Sequence, residues 1–370
     1  MHRGFIVAIA MICCTQATAQ QSPDAGAWVV RGDRATVTAS GISMPAKAGS
    51  VSLVRTMEAS QKGKSLDNVA QYHSADSAVQ ATVYVFYATY ADTALATWAT
   101  DRAIRQRYGA DVTLASNTLI TIAGVKDAAT RRIYDKAALT PGQPVVTAAS
   151  FVRAGSWLVG LRVTGPVDRR GEVENALDAL LAGAQFGKDK PMPSMLLTIA
   201  PPCPPGPEKP AKYLSSKNSS GMALFASLVG GSVVLSDAKK DATEQKPQPP
   251  AFPGNGASPL CVRGTIVSGT LRNDVLQPAR SEDGQIVLVP IDDAGGVFAV
   301  EPALLAEGFV VKRYGIAFTA VLGSFKTMPS LDQIGAILSG KDRKGATVRS
   351  RTVFTPDGNS TIEVNSDTLK

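Results

Sequence analysis

Short apolar runs rich in β-branched and aromatic residues recur through the first half of the chain, at AWVV, SVSLV, QATVYVFYATY, NTLITIAG, RRIYD, PVVTAASFV and SWLVGLRV. Runs of this length and composition predict strands. The last two flank RAGS, a tight-turn signal that joins Phe151-Val152 to Trp157-Leu158 as a hairpin; so short a link forces antiparallel pairing. Two stretches change to a helical period. DTALATWATDRAIRQRY opens on Asp92 as an N-cap and sets Leu95, Trp98 and Ala99 on one face. DRRGEVENALDALLAG lines up Val173, Leu177, Leu180 and Leu181, with Glu172 and Glu174 suited to a helix N-terminus and Gly183 or Gly187 as the stop. Antiparallel strands with a central and a terminal amphipathic helix predict an α+β sandwich over residues 20–187.

The second half, 213–370, reads mainly as strand. Met222–Leu235 predicts one or two strands, and 236–259 is a polar, proline-rich stretch expected to be a long exposed loop. Further strands are expected at VRGTIVSGTL, GQIVLVPI, GVFAV, GFVVKRYGIAFTAVLGSF, ATVRSRTVF and STIEV, between turn signals at SEDG, DDAGG and TPDGN. One short helix is marked by a capping box, Ser330 with Gln333, and an apolar stripe of Leu331, Ile334, Ile337 and Leu338, ended by Gly340. Between the halves, residues 188–212 carry eight prolines and few apolar side chains. This segment is expected to be a stiff linker between two folding units.

The first residues alter the meaning of the cysteines. A basic start at His2 and Arg3, an apolar run from Phe5 to Cys14, and Ala17-Thr18-Ala19 form the pattern of a secretory signal peptide over 1–19, cut near Ala19. That places the mature protein in the periplasm or outside the cell. Cleavage removes Cys13 and Cys14 and leaves Cys203 and Cys261, which an oxidising compartment is expected to join as a disulfide. The bond would staple the proline segment to the second half. No later run reaches the roughly 20 apolar residues needed to span a bilayer.

At 44% hydrophobic and 19% charged, the chain has the composition of a folded globular protein. Its net charge of +7 is spread over both halves, which argues against a nucleic-acid face. The local clusters RAIRQR and KDRKGATVRSR are expected to be solvated faces.

The order of elements from Trp28 to Phe186, with ATVYVFYATY leading into the first helix and the FVRAGSWLVGLRV hairpin into the last, resembles the PsbP-like domain. The resemblance implies a compact domain that docks on other proteins and shares no catalytic residues. The second half resembles no family.

Candidate chemistry is sparse. Apart from His2, the chain has one histidine, His73, so His-ligated metal sites and a Ser-His-Asp triad have little to draw on. Its neighbourhood SLDNVAQYHSAD holds Asp67, Ser74, Asp76 and Ser77, which read as a surface turn without catalytic work. The carboxylates of IDDAGG and RSEDGQ fall in turns where Asp beside Gly is the ordinary occupant. No phosphate-binding glycine loop is present. No catalytic residue, cofactor or metal is expected. The function this leaves is a non-catalytic periplasmic binding or assembly protein whose partner is another envelope protein. The alternative is an envelope hydrolase working through carboxylates or a serine assembled by folding.

Overall fold

The computed structural model describes residues 26–60, 65–138, 143–196, 203, 207, 209–214, 260–268, 271–278, 286–303, 308–356 and 359–365. The expected signal peptide, the strands at 222–235, the loop at 236–259 and the SEDG turn lie outside these residues.

Among the described residues three antiparallel sheets carry the architecture. A four-stranded sheet joins β1 (Trp28–Arg31), β2 (Arg34–Val37), β3 (Ile42–Pro45) and β12 (Gln185–Phe186). A nine-stranded sheet is built from two meanders. One comprises β4 (Lys47–Ala48), β5 (Val51–Glu58), β6 (Asp67–Ser74) and β7 (Gln80–Tyr87). The other comprises β8 (Thr113–Ile122), β9 (Val125–Ala138), β10 (Pro144–Ala154) and β11 (Trp157–Pro166). The two are sewn together by β7 against β11, and β13 (Pro191–Met192) adds to β10. The eight-stranded sheet takes its strands in chain order: β14 (Leu260–Ser268), β15 (Leu271–Pro278), β16 (Val287–Pro290), β17 (Val297–Pro302), β18 (Phe309–Gly315), β19 (Phe318–Phe325), β20 (Ser350–Phe354) and β21 (Ser360–Val364).

Among the described residues the α-helices are α1 (Thr93–Tyr108), α2 (Arg170–Gly183), α3 (Leu331–Leu338) and the single turn α4 (Arg343–Ala346). The α+β expectation for the first half is therefore overturned: the architecture is mainly β, and two causes stand out. Strands were undercounted where their sequences are polar. SLDNVAQYHS is β6 and not a surface turn; its buried Asn68 is tolerated because the side-chain amide donates to the carbonyls of Ser65 and Val85. Strand β3 carries serine, methionine and proline beside a single β-branched residue. The second cause is α1, which is not amphipathic. It packs on β9 and β10 on one side and on β16 on the other, and Thr93 to Thr97, Ala99, Thr100, Ile104 and Tyr108 are all buried.

Other expected features sit where the pattern places them. Asp92 caps α1 by accepting from the backbone N–H of Ala94 and Leu95 at 2.8 and 2.9 Å. On α2 the stripe Val173, Leu177, Leu180 and Leu181 is fully buried against β10 and β11, and the helix stops at Gly183. The RAGS hairpin forms with Ala154 opposite Trp157. The capping box at Ser330 and Gln333 is present, with Ile334 and Ile337 buried.

The proline segment is held at both ends. Pro191 and Met192 pair with Ala154 and Arg153, and Ser194 bonds to the carbonyls of Asp127 and Ala128. Downstream, Ala211 exchanges two hydrogen bonds with the Gln333 side chain, and Tyr213 bridges to Phe325. Cys203 is disulfide-bonded to Cys261, with Cα atoms 5.1 Å apart. Staple and ladder bonds thus act on the same segment.

The sequences on either side of this segment meet across a packed seam. Thr89 exchanges hydrogen bonds with Gly315 and donates to the Phe318 carbonyl, and Ala317 N–H donates to the Tyr87 carbonyl. Ala317 and Phe354 belong to the same buried cluster as Tyr87 and Trp157, with the Phe354 ring stacked on Tyr87 at 6.1 Å. Leu95 and Tyr90 are buried among Leu260, Leu276, Leu288, Val297 and Tyr314. Gly295, at φ +77°, lies where a Cβ would come within 3.1 Å of the Phe86 ring, so the turn closes flush on the other half.

Candidate functional site

The site follows from the two-residue period of β7. Ala81, Val83 and Val85 face α2 and the main core, so Gln80, Thr82, Tyr84 and Phe86 must face the other way. The register sets Thr164 opposite Gln80, Arg162 opposite Thr82, Gly160 opposite Tyr84 and Leu158 opposite Phe86. Near Phe86 this face is covered by α1 and the second half. Beyond Tyr84 it is open.

The open part is the floor of a cleft of about 840 Å³. Gln80, Thr82, Tyr84, Arg162 and Thr164 pave it. The C-terminal turn of α1 supplies Arg107 and Tyr108, Gln143 to Val145 lead into β10, and Gly165 to Asp168 close the far side. Two of the largest exposed apolar side chains, Tyr84 and Val167, line it. The Arg107 guanidinium lies 5.4 Å from the Tyr108 ring centre and makes no ion pair among the described residues. The walls are thus a mixture of hydrogen-bonding groups, exposed rings and one uncommitted cation.

At its inner end the cleft adjoins a smaller cavity of about 80 Å³, with Tyr84 and Arg162 common to both. Phe86, Phe151 and Tyr84 form apolar walls; Asp67, Thr100, Asp293 and Ala294 complete it. Gly160 leaves room for this arrangement, since a Cβ there would fall 2.8 Å from the Phe151 ring. Arg162 donates to Asp293 at 2.8 Å, while its buried Nε has no protein partner. Thr100 is only 3% exposed, and its Oγ1 likewise has none. Burial pushes the Asp67 carboxyl above the usual carboxylate range, and the negative charges of Glu58 and Asp292 add to the effect.

The other singled-out residues lie elsewhere. Asp76 accepts from Ser74 Oγ at 2.7 Å and from Ala78 N–H at 3.1 Å, and pairs with Arg169 at 2.5 Å. These contacts, the Ser74 hydroxyl foremost, hold its carboxyl down at about 2. It fastens the β6–β7 turn to the start of α2. His73 sits in β6 between Ser52 and Gln80. Asp292 fills the expected turn role, accepting from Ala294 and Gly296 N–H. Its neighbour Asp293 was assigned to the same turn but reaches Arg162 across the seam. Neither Cys203 nor Cys261 lines the cleft. Among the described residues no three His, Cys, Asp or Glu side chains gather as a metal site would require.

The basic clusters are not simple solvated faces. Arg102 donates to the carbonyls of Pro290 and Ile291 across the seam, Arg105 pairs with Asp101, and only Arg107 turns into the cleft. In the second cluster Arg349 is buried and Arg351 lies 4.5 Å over the Phe318 ring.

No family model matches this chain, and no curated protein matches it. Among solved structures, a crystal structure of a protein from Bacteroides thetaiotaomicron VPI-5482 aligns with 68% of this chain and 85% of its own length, at 12% identity and a TM-score of 0.25. A likeness that slight carries no argument about fold or function.

Proposed function

We propose that the protein is an exported, non-catalytic binding protein that holds an extended segment of another envelope protein in the cleft over β7 and β11. The observation that carries this reading is the open floor itself. Gln80, Thr82 and Thr164 offer donors and acceptors suited to peptide amides, with Tyr84, Val145 and Val167 beside them as apolar contacts and Arg107 as a free cation. The Cys203–Cys261 bond supports an oxidising compartment. A photo-reactive residue placed at Thr82 is expected to capture an envelope polypeptide in intact cells, and one at exposed Val348, which does not line the cleft, is not. Equal capture from both positions, or none from either, would remove the proposal.

The hydrolase reading has one specific observation in its favour: Asp67 and Asp293 share a cavity wall. Asp293, however, is committed to Arg162. A hydrolytic turnover of an envelope polymer that is abolished by Asp67→Asn would establish that reading over the binding one.

A further inference from the structure

We infer that the small inner cavity is a lysine subsite: it takes the side-chain ammonium of a lysine carried by the segment bound in the outer cleft. The inference rests on the peptide-binding reading above and adds which side chain anchors the segment.

Three features converge. The first is charge. Among the residues that line the cavity, Asp67 and Asp293 are the acids and Arg162, engaged with Asp293, is the base. The described lining is therefore net negative, and a cationic guest balances it. The second is the unused Oγ1 of Thr100, on a side chain 97% buried, which provides an acceptor. A protein group left without a partner at such depth is destabilising, and a guest that bonds to it recovers that cost. The third is the set of walls. Tyr84, Phe86 and Phe151 present aromatic surface, which suits both the methylene stem of a lysine and its charged head.

The acceptors also select among cations. An ammonium is a compact charge with three donors, and Thr100, Asp67 and the Asp293 oxygen that Arg162 does not engage offer three separate acceptors. A metal ion fits poorly, since the described carboxylates do not gather as metal ligands do and three walls are rings. Tyr84 and Arg162 line both spaces, so a segment whose backbone lies on the floor of the outer cleft has the inner cavity within one side chain's reach.

The test uses the whole protein and three blocked tripeptides, acetyl-Ala-Xaa-Ala-amide with Xaa lysine, norleucine or glutamate, titrated by calorimetry and by amide chemical shifts. Lysine is expected to bind at least about tenfold more tightly than norleucine, which carries the same four-carbon stem without the ammonium. It should shift the amides of Thr100 and Asp67 as well as those of Gln80, Thr82 and Thr164. Asp67→Asn and, separately, Thr100→Val should each abolish the lysine preference while the floor residues still respond; a thermal melt checks that each variant folds, and either one suffices. Norleucine binding as well as lysine, glutamate binding best, or a preference that survives in the folded variants would overturn the subsite and leave the cleft proposal standing. Silence of the floor amides toward all three peptides would remove both.

Discussion

Truncating Phe354 to alanine probes whether the seam is energetically continuous. The ring is 1% exposed and stacks on Tyr87, which also meets Trp157 edge-on at 5.4 Å. Emptying a fully buried phenylalanine site costs about 3–5 kcal/mol, of which the ring pair itself contributes about 0.5–1.5. With a urea dependence near 3 kcal/mol per molar, as suits a chain of this size, the midpoint should fall by about 1–1.7 M. Trp157 fluorescence in a Trp28→Phe, Trp98→Phe background reports the nine-stranded sheet, and hydrogen exchange at the Val321 amide in β19 reports the eight-stranded one. If the seam couples them, both probes shift together, although the substitution touches only one sheet's strand. A Trp157 transition that stays in place while Val321 loses protection would refute the coupling.

Other expectations are more local. Asp76 is held near 2 when folded, below the ordinary value near 3.9, so its contribution to stability is complete above pH 4 and is lost as pH falls toward 2; Asp76→Asn should flatten that acid limb in a pH-resolved melt. Ser330→Ala should cost about 1 kcal/mol by removing the α3 cap, and should raise exchange at the Ala211 amide, because the same Gln333 side chain holds it. Reducing Cys203–Cys261, which closes a separation of 58 residues, should cost roughly 4 kcal/mol. Non-reducing digestion should yield the linked peptide, and two freely alkylated cysteines would disprove the bond.

What the sequence discloses here depends on how local the cause is. The α3 capping box, the Asp92 cap, the α2 stripe and the RAGS hairpin are set by residues within one turn or one hairpin of each other, and each was legible. The Cys203–Cys261 pairing was legible by elimination. Strand β6 was hidden because its buried Asn68 completes its hydrogen bonds only after β7 pairs with it. The nature of α1 was hidden because nothing in its own period announces that a second sheet covers its outer side. The cleft was hidden for the same reason. Its floor joins residues about 80 positions apart through the β7–β11 register, and Asp293 reaches Arg162 from beyond the proline segment. A cross-strand and cross-seam constellation leaves no spacing signal in a single sequence.

The chain-order meander of the eight-stranded sheet bears on how the protein comes into being. Every strand there pairs with its immediate predecessor or successor, so this sheet has low contact order and can grow one hairpin at a time. The nine-stranded sheet has no such freedom, because β7 waits for β11, and α1 with three intervening strands must be laid down first. Although synthesised earlier, the first sheet therefore faces the longer loop closure and should set the pace of folding. Until β11 docks, β7 stands as an unpaired edge carrying valine and tyrosine, the segment on which aggregation would begin if folding stalled.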